Sequence, residues 1–169
     1  MNTQTNTRRT RTLKFLALLS LPVLVLLWWA FRPEKLFVNE RVNEKAPFAA
    51  AGDPQPILTG RLEGQLHKTT GRATIYKSPD GKQYLRLTNF ETSNGPDVHV
   101  ILVTPDDSRL NQDVVKGDLE SIELGSLKGN QGDQNYDLPA NADLQKYSAV
   151  AIYCERFHAV FGVAKLERF

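Results

Sequence analysis

The sequence predicts an all-β fold, an antiparallel β-sandwich or barrel, preceded by one N-terminal transmembrane helix and a proline-containing linker. Three observations predict it. Short runs rich in β-branched and aromatic residues recur after Pro56, with turn residues between them. No segment after Phe31 repeats its apolar residues at the helical period. Before that, "FLALLSLPVLVLLWWAF", Phe15 to Phe31, carries no charge at all.

The N-terminal segment comes first in the chain. Counted from Leu13 to Phe31 it has 19 residues, about 28 Å as a helix, close to the thickness of a bilayer core. Trp28 and Trp29 stand where an interfacial aromatic belt belongs, and lipid tolerates Pro22. No small-x-small site ends the run, and "FAAAG" (Phe48–Gly52) comes too late to serve as one. The segment therefore reads as an uncleaved anchor rather than a signal peptide. Arg8, Arg9, Arg11 and Lys14 crowd its N-terminal side without an acid, which sets residues 1–12 as a cytoplasmic basic tail and the rest of the chain as extracytoplasmic, periplasmic or at the cell surface.

These four cations also account for the positive balance. The chain is +2, but residues 32–169 hold 17 basic against 19 acidic residues and are −2. Nucleic acid is not an expected partner of such a domain.

Residues 32–56 mix charge with Pro33, Pro47, Pro54 and Pro56, and read as a partly extended linker. The domain then spans 57–169, enough chain to bury a core without disulfides. Its strands are expected at "ILTGRLEG", "RATIYKS", "KQYLRLTNF", "DVHVILVT" and "YSAVAIYC". Ser78-Pro79-Asp80-Gly81 is a turn, since proline presets one dihedral and glycine accepts positive φ. In "QYLRLTN", Leu85 and Leu87 share a core face, while Tyr84, Arg86 and Thr88 share a wet one. "VHVILV" and "AVAIY" are apolar on both faces, as central strands are. "SLKGNQGDQNYDLPANAD" (Ser126–Asp143) is loop-rich and reads as Asx turns; it lacks the alternating acids and terminal glutamate of an EF-hand.

The only cysteine, Cys154, ends the apolar run Val150 to Tyr153. One reading makes it a small apolar filler at the end of a buried strand. The other makes it an active thiol, open at the rim of the fold, with His158 across a turn to stabilise thiolate and Arg156 beside it facing solvent. Cys154, His158 and either His99 or His67 would also be the thiolate and two imidazoles of a blue-copper centre. The one methionine is Met1, so the domain offers no axial thioether, copper is not expected, and no metal ligands are assigned. His67 taken singly reads as a surface or turn histidine. Haem stays open as a non-covalent group, since no C-x-x-C-H run is present. The chain has no G-x-S-x-G elbow and no H-E-x-x-H, so a standard hydrolytic enzyme is not expected.

Three blocks carry a resemblance. Gly60, Gly64, His67, Gly71, Ala73 and Ile75 form the first; "LRLTNFETSNGPDVHVIL" (Leu85–Leu102) is the second; "LGSLKGNQGDQNYDLPANADLQKYSAVAIYCERFHAVFGVAKL" (Leu124–Leu166) is the third. Together they resemble the electron-transfer DM-thirteen domain family, found in animal cell-surface proteins and bacterial exported ones. The resemblance implies a small β domain with a characteristic cysteine, here Cys154. Animal members accompany DOMON domains and b-type cytochromes, and the cysteine is proposed to be redox-active, as a bare thiol or a haem ligand. His99 falls in the "GPDVHV" segment, while His158 matches no motif position. Two functions follow as expectations. One is a membrane-tethered redox or electron-transfer domain working through Cys154 with a redox or cell-surface protein partner. The other is a non-catalytic exported β module that binds a partner, with Cys154 structural.

Overall fold

The computed structural model describes residues 20–26, 28–29, 38–47, 53–105 and 120–169. Residues 20–26 and 28–29 are helical, with exposed side chains. The remainder of the expected anchor 13–31 and the basic tail 1–12 lie outside the described residues. Among those described, no helix is long and apolar enough to cross a membrane.

From Val38 onward, every regular element among the described residues is a β-strand. Eleven strands run in order: β1 (Arg41–Asn43), β2 (Gln55–Arg61), β3 (Glu63–Gly64), β4 (Thr70–Lys77), β5 (Gln83–Glu91), β6 (Val98–Val103), β7 (Ser121–Ser126), β8 (Gln131–Asp137), β9 (Ala149–Cys154), β10 (Ala159–Lys165) and β11 (Glu167–Arg168). They form a six-stranded sheet, β1-β8-β5-β4-β2-β11, and a five-stranded sheet, β3-β10-β9-β6-β7. The sheets stay separate and open, so the sandwich expectation holds and the barrel alternative does not. All pairings are antiparallel except β1 with β8, which is parallel.

Alternation along the strands builds the core. Ala73 and Ile75 of β4, Leu85 and Leu87 of β5, Val98, Val100 and Leu102 of β6, and Val150, Ile152 and Cys154 of β9 join one buried cluster between the sheets. "ILTGRLEG" does not make one strand. Leu62, 2% exposed, interrupts it, and the chain passes there from one sheet to the other. Leu166 does the same between β10 and β11. The two crossings run side by side, because β2 pairs with β11 and β3 with β10. Gly60 permits this approach, since a Cβ there would stand 2.0 Å from the Lys165 carbonyl oxygen.

The turn after β4 forms as expected. The Gly81 N–H donates to the Ser78 carbonyl at 2.9 Å, and Gly81 has φ of 88°. Tyr84 departs from the wet face expected of it. It stacks on Tyr76, ring centroids 5.3 Å apart, and is buried, while Arg86 and Thr88 are half-buried.

Two expectations need correction. Ser126–Asp143 is not a loop throughout, because Gln131–Asp137 within it is β8, an internal strand. It was missed because its inward residues are Gly132, Gln134 and Tyr136, which carry little apolar signal. Nor is 32–56 only a spacer. Arg41–Asn43 is a strand, and Asn130 fastens the residues before it: the Glu40 N–H donates to its Oδ1 at 2.7 Å. Gly132, with φ of 97°, lets β1 approach, because a Cβ there would stand 2.0 Å from the Val42 carbonyl oxygen.

Candidate functional site

The site grows from two neighbouring central strands. In the β6–β9 register Val98 faces Cys154, His99 faces Tyr153 and Val100 faces Ile152. Successive side chains leave a strand on opposite faces. Val98, Cys154 and their neighbours therefore point into the core, while His99 and Tyr153 share the outer face.

That parity decides the thiol's surroundings. Cys154 is 0% exposed and belongs to the core cluster. On β10 its register partner is Ala159, not His158. The turn between them is Glu155 to His158, all exposed, with the His158 N–H donating to the Glu155 carbonyl at 3.2 Å. The expected open rim is therefore closed in this conformation. His158 is not beside the sulfur; its Nδ1 meets the Tyr153 hydroxyl at 2.9 Å on the outer face. Arg156 faces solvent from the turn, as expected. The His67 ring lies tilted against Phe161, ring centroids 3.9 Å apart, and is half-buried. The Cys154, His158 and His99 set that a copper centre would need does not converge.

His99 stands instead in an acidic cluster. Its Nδ1 lies 2.7 Å from Glu123 Oε1, and its Nε2 lies 3.0 Å from Asp97 Oδ1 and 3.6 Å from Glu155 Oε2. Burial disfavours the charged imidazole, but the hydrogen bonds to Asp97 and Glu123 outweigh it and hold the pKa above the ordinary histidine value. The backbone builds this arrangement. Asp97 and His99 are two residues apart and share a face. The Glu155 N–H donates to the Asp97 carbonyl at 2.9 Å, which pins the turn beside them. A bulge in the β6–β7 register passes over Leu124 and sets Glu123 opposite Ile101, next to His99.

Sequence reasoning singled out His99 but none of its three acids. The spacing "DVH" carried a signal for Asp97, since i and i+2 lie on one strand face. Glu123 carried none, because β7 was not assigned. Glu155 was visible only as part of a charged turn.

Three surface clefts, of about 410, 550 and 610 Å³, lie around β2 and are lined without cysteine or histidine. None of these three touches the Cys154 region.

The family comparison agrees with this organisation. No curated protein and no solved structure matches the chain. The model of the family described as Electron transfer DM13 matches residues 61–166, from the end of β2 to the residue after β10. The match covers more than half of the chain and contains every strand of the five-stranded sheet, and so the chain belongs to the Electron transfer DM13 family.

Proposed function

We propose that this chain is an electron-transfer module on the extracytoplasmic side of a membrane, tethered by Leu13–Phe31, with Cys154 as a gated redox thiol. The observation that carries the reading is the family match, which encloses Cys154 at the end of β9. A thiol must meet its oxidant or partner to react. The element to open is the Glu155–His158 turn. Its exposed residues bury little, and His158 sits at φ of 48°, a left-handed conformation that favours glycine. Local opening draws on such weakly held segments. A lone cysteine forms no disulfide within the chain, so Cys154 would work by exchange: its thiolate attacks a disulfide of a redox protein or a cell-surface protein at the same face, a mixed disulfide forms, and the partner's other sulfur leaves as thiolate.

The complete burial of Cys154 favours a second reading. On it, the domain is an exported partner-binding β module and Cys154 is core filler.

Alkylation of the full chain in increasing denaturant separates the two. A gated thiol labels faster than global unfolding allows, with little denaturant dependence at low concentration. Labelling that follows global unfolding throughout overturns the gated thiol. Cys154→Ala is expected to cost about 1 kcal/mol, for the loss of one sulfur's volume. The tether is checked by intact mass of membrane-extracted protein, and loss of about the first 30 residues defeats it.

A further inference from the structure

We infer that Asp97, His99 and Glu155 form a binding site for a divalent transition-metal ion of zinc type, with Glu123 as the positioning residue for His99. The site stands apart from Cys154, on the opposite face of the sheet, and does not depend on the thiol being redox-active.

The ligand atoms of Asp97, His99 and Glu155 all lie within 4.8 Å of one another. Zinc holds imidazole nitrogen and carboxylate oxygen at about 2.0–2.2 Å, which places neighbouring ligands of a tetrahedron about 3.4 Å apart. The two separations from His99 Nε2, 3.0 Å to Asp97 and 3.6 Å to Glu155, bracket that edge. An ion can enter with small side-chain shifts.

Glu123 supplies what a ligating histidine needs on its other nitrogen. A carboxylate 2.7 Å from Nδ1 holds the proton there, fixes the ring and leaves the Nε2 lone pair for the ion. The donor set is one imidazole and two carboxylates. Calcium and magnesium favour all-oxygen sites, while an imidazole suits zinc.

Charge points the same way. Three carboxylates face one imidazole, which balances one of them when protonated. A divalent ion adds two positive charges to this acidic cluster. Access is open, since Asp97 and Glu155 side chains are 42% and 63% exposed, while the imidazole is 13% exposed. Water completes the coordination.

The test is calorimetric titration of the full, tag-free chain with Zn²⁺. The expected result is saturable binding of one ion per chain. His99→Ala and Asp97→Asn each abolish saturable binding. Glu123→Gln keeps the stoichiometry and weakens affinity by about 10–100-fold. Glu155→Gln, in an exposed turn where folding is not at stake, also weakens it, whereas Glu63→Gln on β3 leaves it unchanged. Absence of saturable binding, equal binding of Mg²⁺, or binding indifferent to Asp97→Asn and Glu155→Gln overturns the site.

Discussion

β8 and β9 are both internal strands, yet opposite chemistries hold them in place. β9 reads Ala-Val-Ala-Ile-Tyr-Cys, and five of its six residues are buried, one face toward the main core and the other toward a second apolar cluster. β8 reads Gln-Gly-Asp-Gln-Asn-Tyr-Asp. Its central inward residue is Gln134, 0% exposed, and every polar atom of that side chain is engaged on one side or the other. The Gln134 Nε2 donates to the Gly129 carbonyl at 2.7 Å; its Oε1 accepts from the Tyr136 hydroxyl at 2.7 Å and the Lys128 N–H at 3.2 Å. Burial pushes the Tyr136 phenol up to about 12, which keeps that donor protonated. β9 is held by removal of apolar surface from water, and β8 by satisfaction of buried polar groups. The first tolerates small changes in shape. The second fails when one partner is lost, because a buried donor or acceptor without a partner retains its full desolvation cost.

Three substitutions test that contrast, beginning with the largest effect. Ile152→Ala removes three carbons from the centre of β9 and leaves a cavity between the sheets. A loss of about 2–5 kcal/mol is expected in denaturant unfolding. A loss under 1 kcal/mol, roughly an exposed-site value, would mean that β9 is not held by apolar burial. Gln134→Leu comes next. It preserves volume but strips partners from Gly129, Lys128 and Tyr136, and is expected to cost about 1–3 kcal/mol. A neutral or stabilising result would show that β8 needs only volume, and the contrast would collapse.

The smallest effect lies on the outer face. His99 has its pKa raised in the folded state, against burial, by its bonds to Asp97 and Glu123. Its contribution is therefore fully present below the ordinary imidazole pKa and is lost as pH rises through the folded value. The partners are 42% and 59% exposed, so solvent screens the gain. Stability of the ion-free protein is expected to fall slightly as pH rises past the ordinary imidazole range, and His99→Gln is expected to flatten that dependence. An unchanged slope in the variant would assign the pH dependence elsewhere.

The same contrast explains what the sequence disclosed. β4, β5, β6 and β9 were legible because their β-branched and aromatic residues repeat at the strand period. β8 carries the same period, but glycine and glutamine occupy two of its three inward positions, and the period had no apolar amplitude. β1 is three residues long, and its docking depends on Asn130 and Gly132, roughly ninety positions away in the chain. At the site, the inward direction of Cys154 followed from alternation with Val150 and Ile152. Its separation from His99 did not, because that rests on a non-local register between β6 and β9. Placing Glu123 beside His99 required a bulge between strands that no local pattern specifies.

The paired crossings at Leu62 and Leu166 give the sandwich a spine. Two adjacent ribbons pass from one sheet to the other along a single edge, with Gly60 letting their backbones close up. Covalent chain joins the sheets there twice. At the far side the link 127–130 carries the chain from β7 to β8, again from one sheet to the other. The sheets are consequently laced by chain along both edges, and neither edge is free to open as the pages of a book do. What loosens first is then a single strand: amides of β7, at the edge of its sheet, should lose their protection from exchange before those of β2 and β10, which have a neighbour on each side.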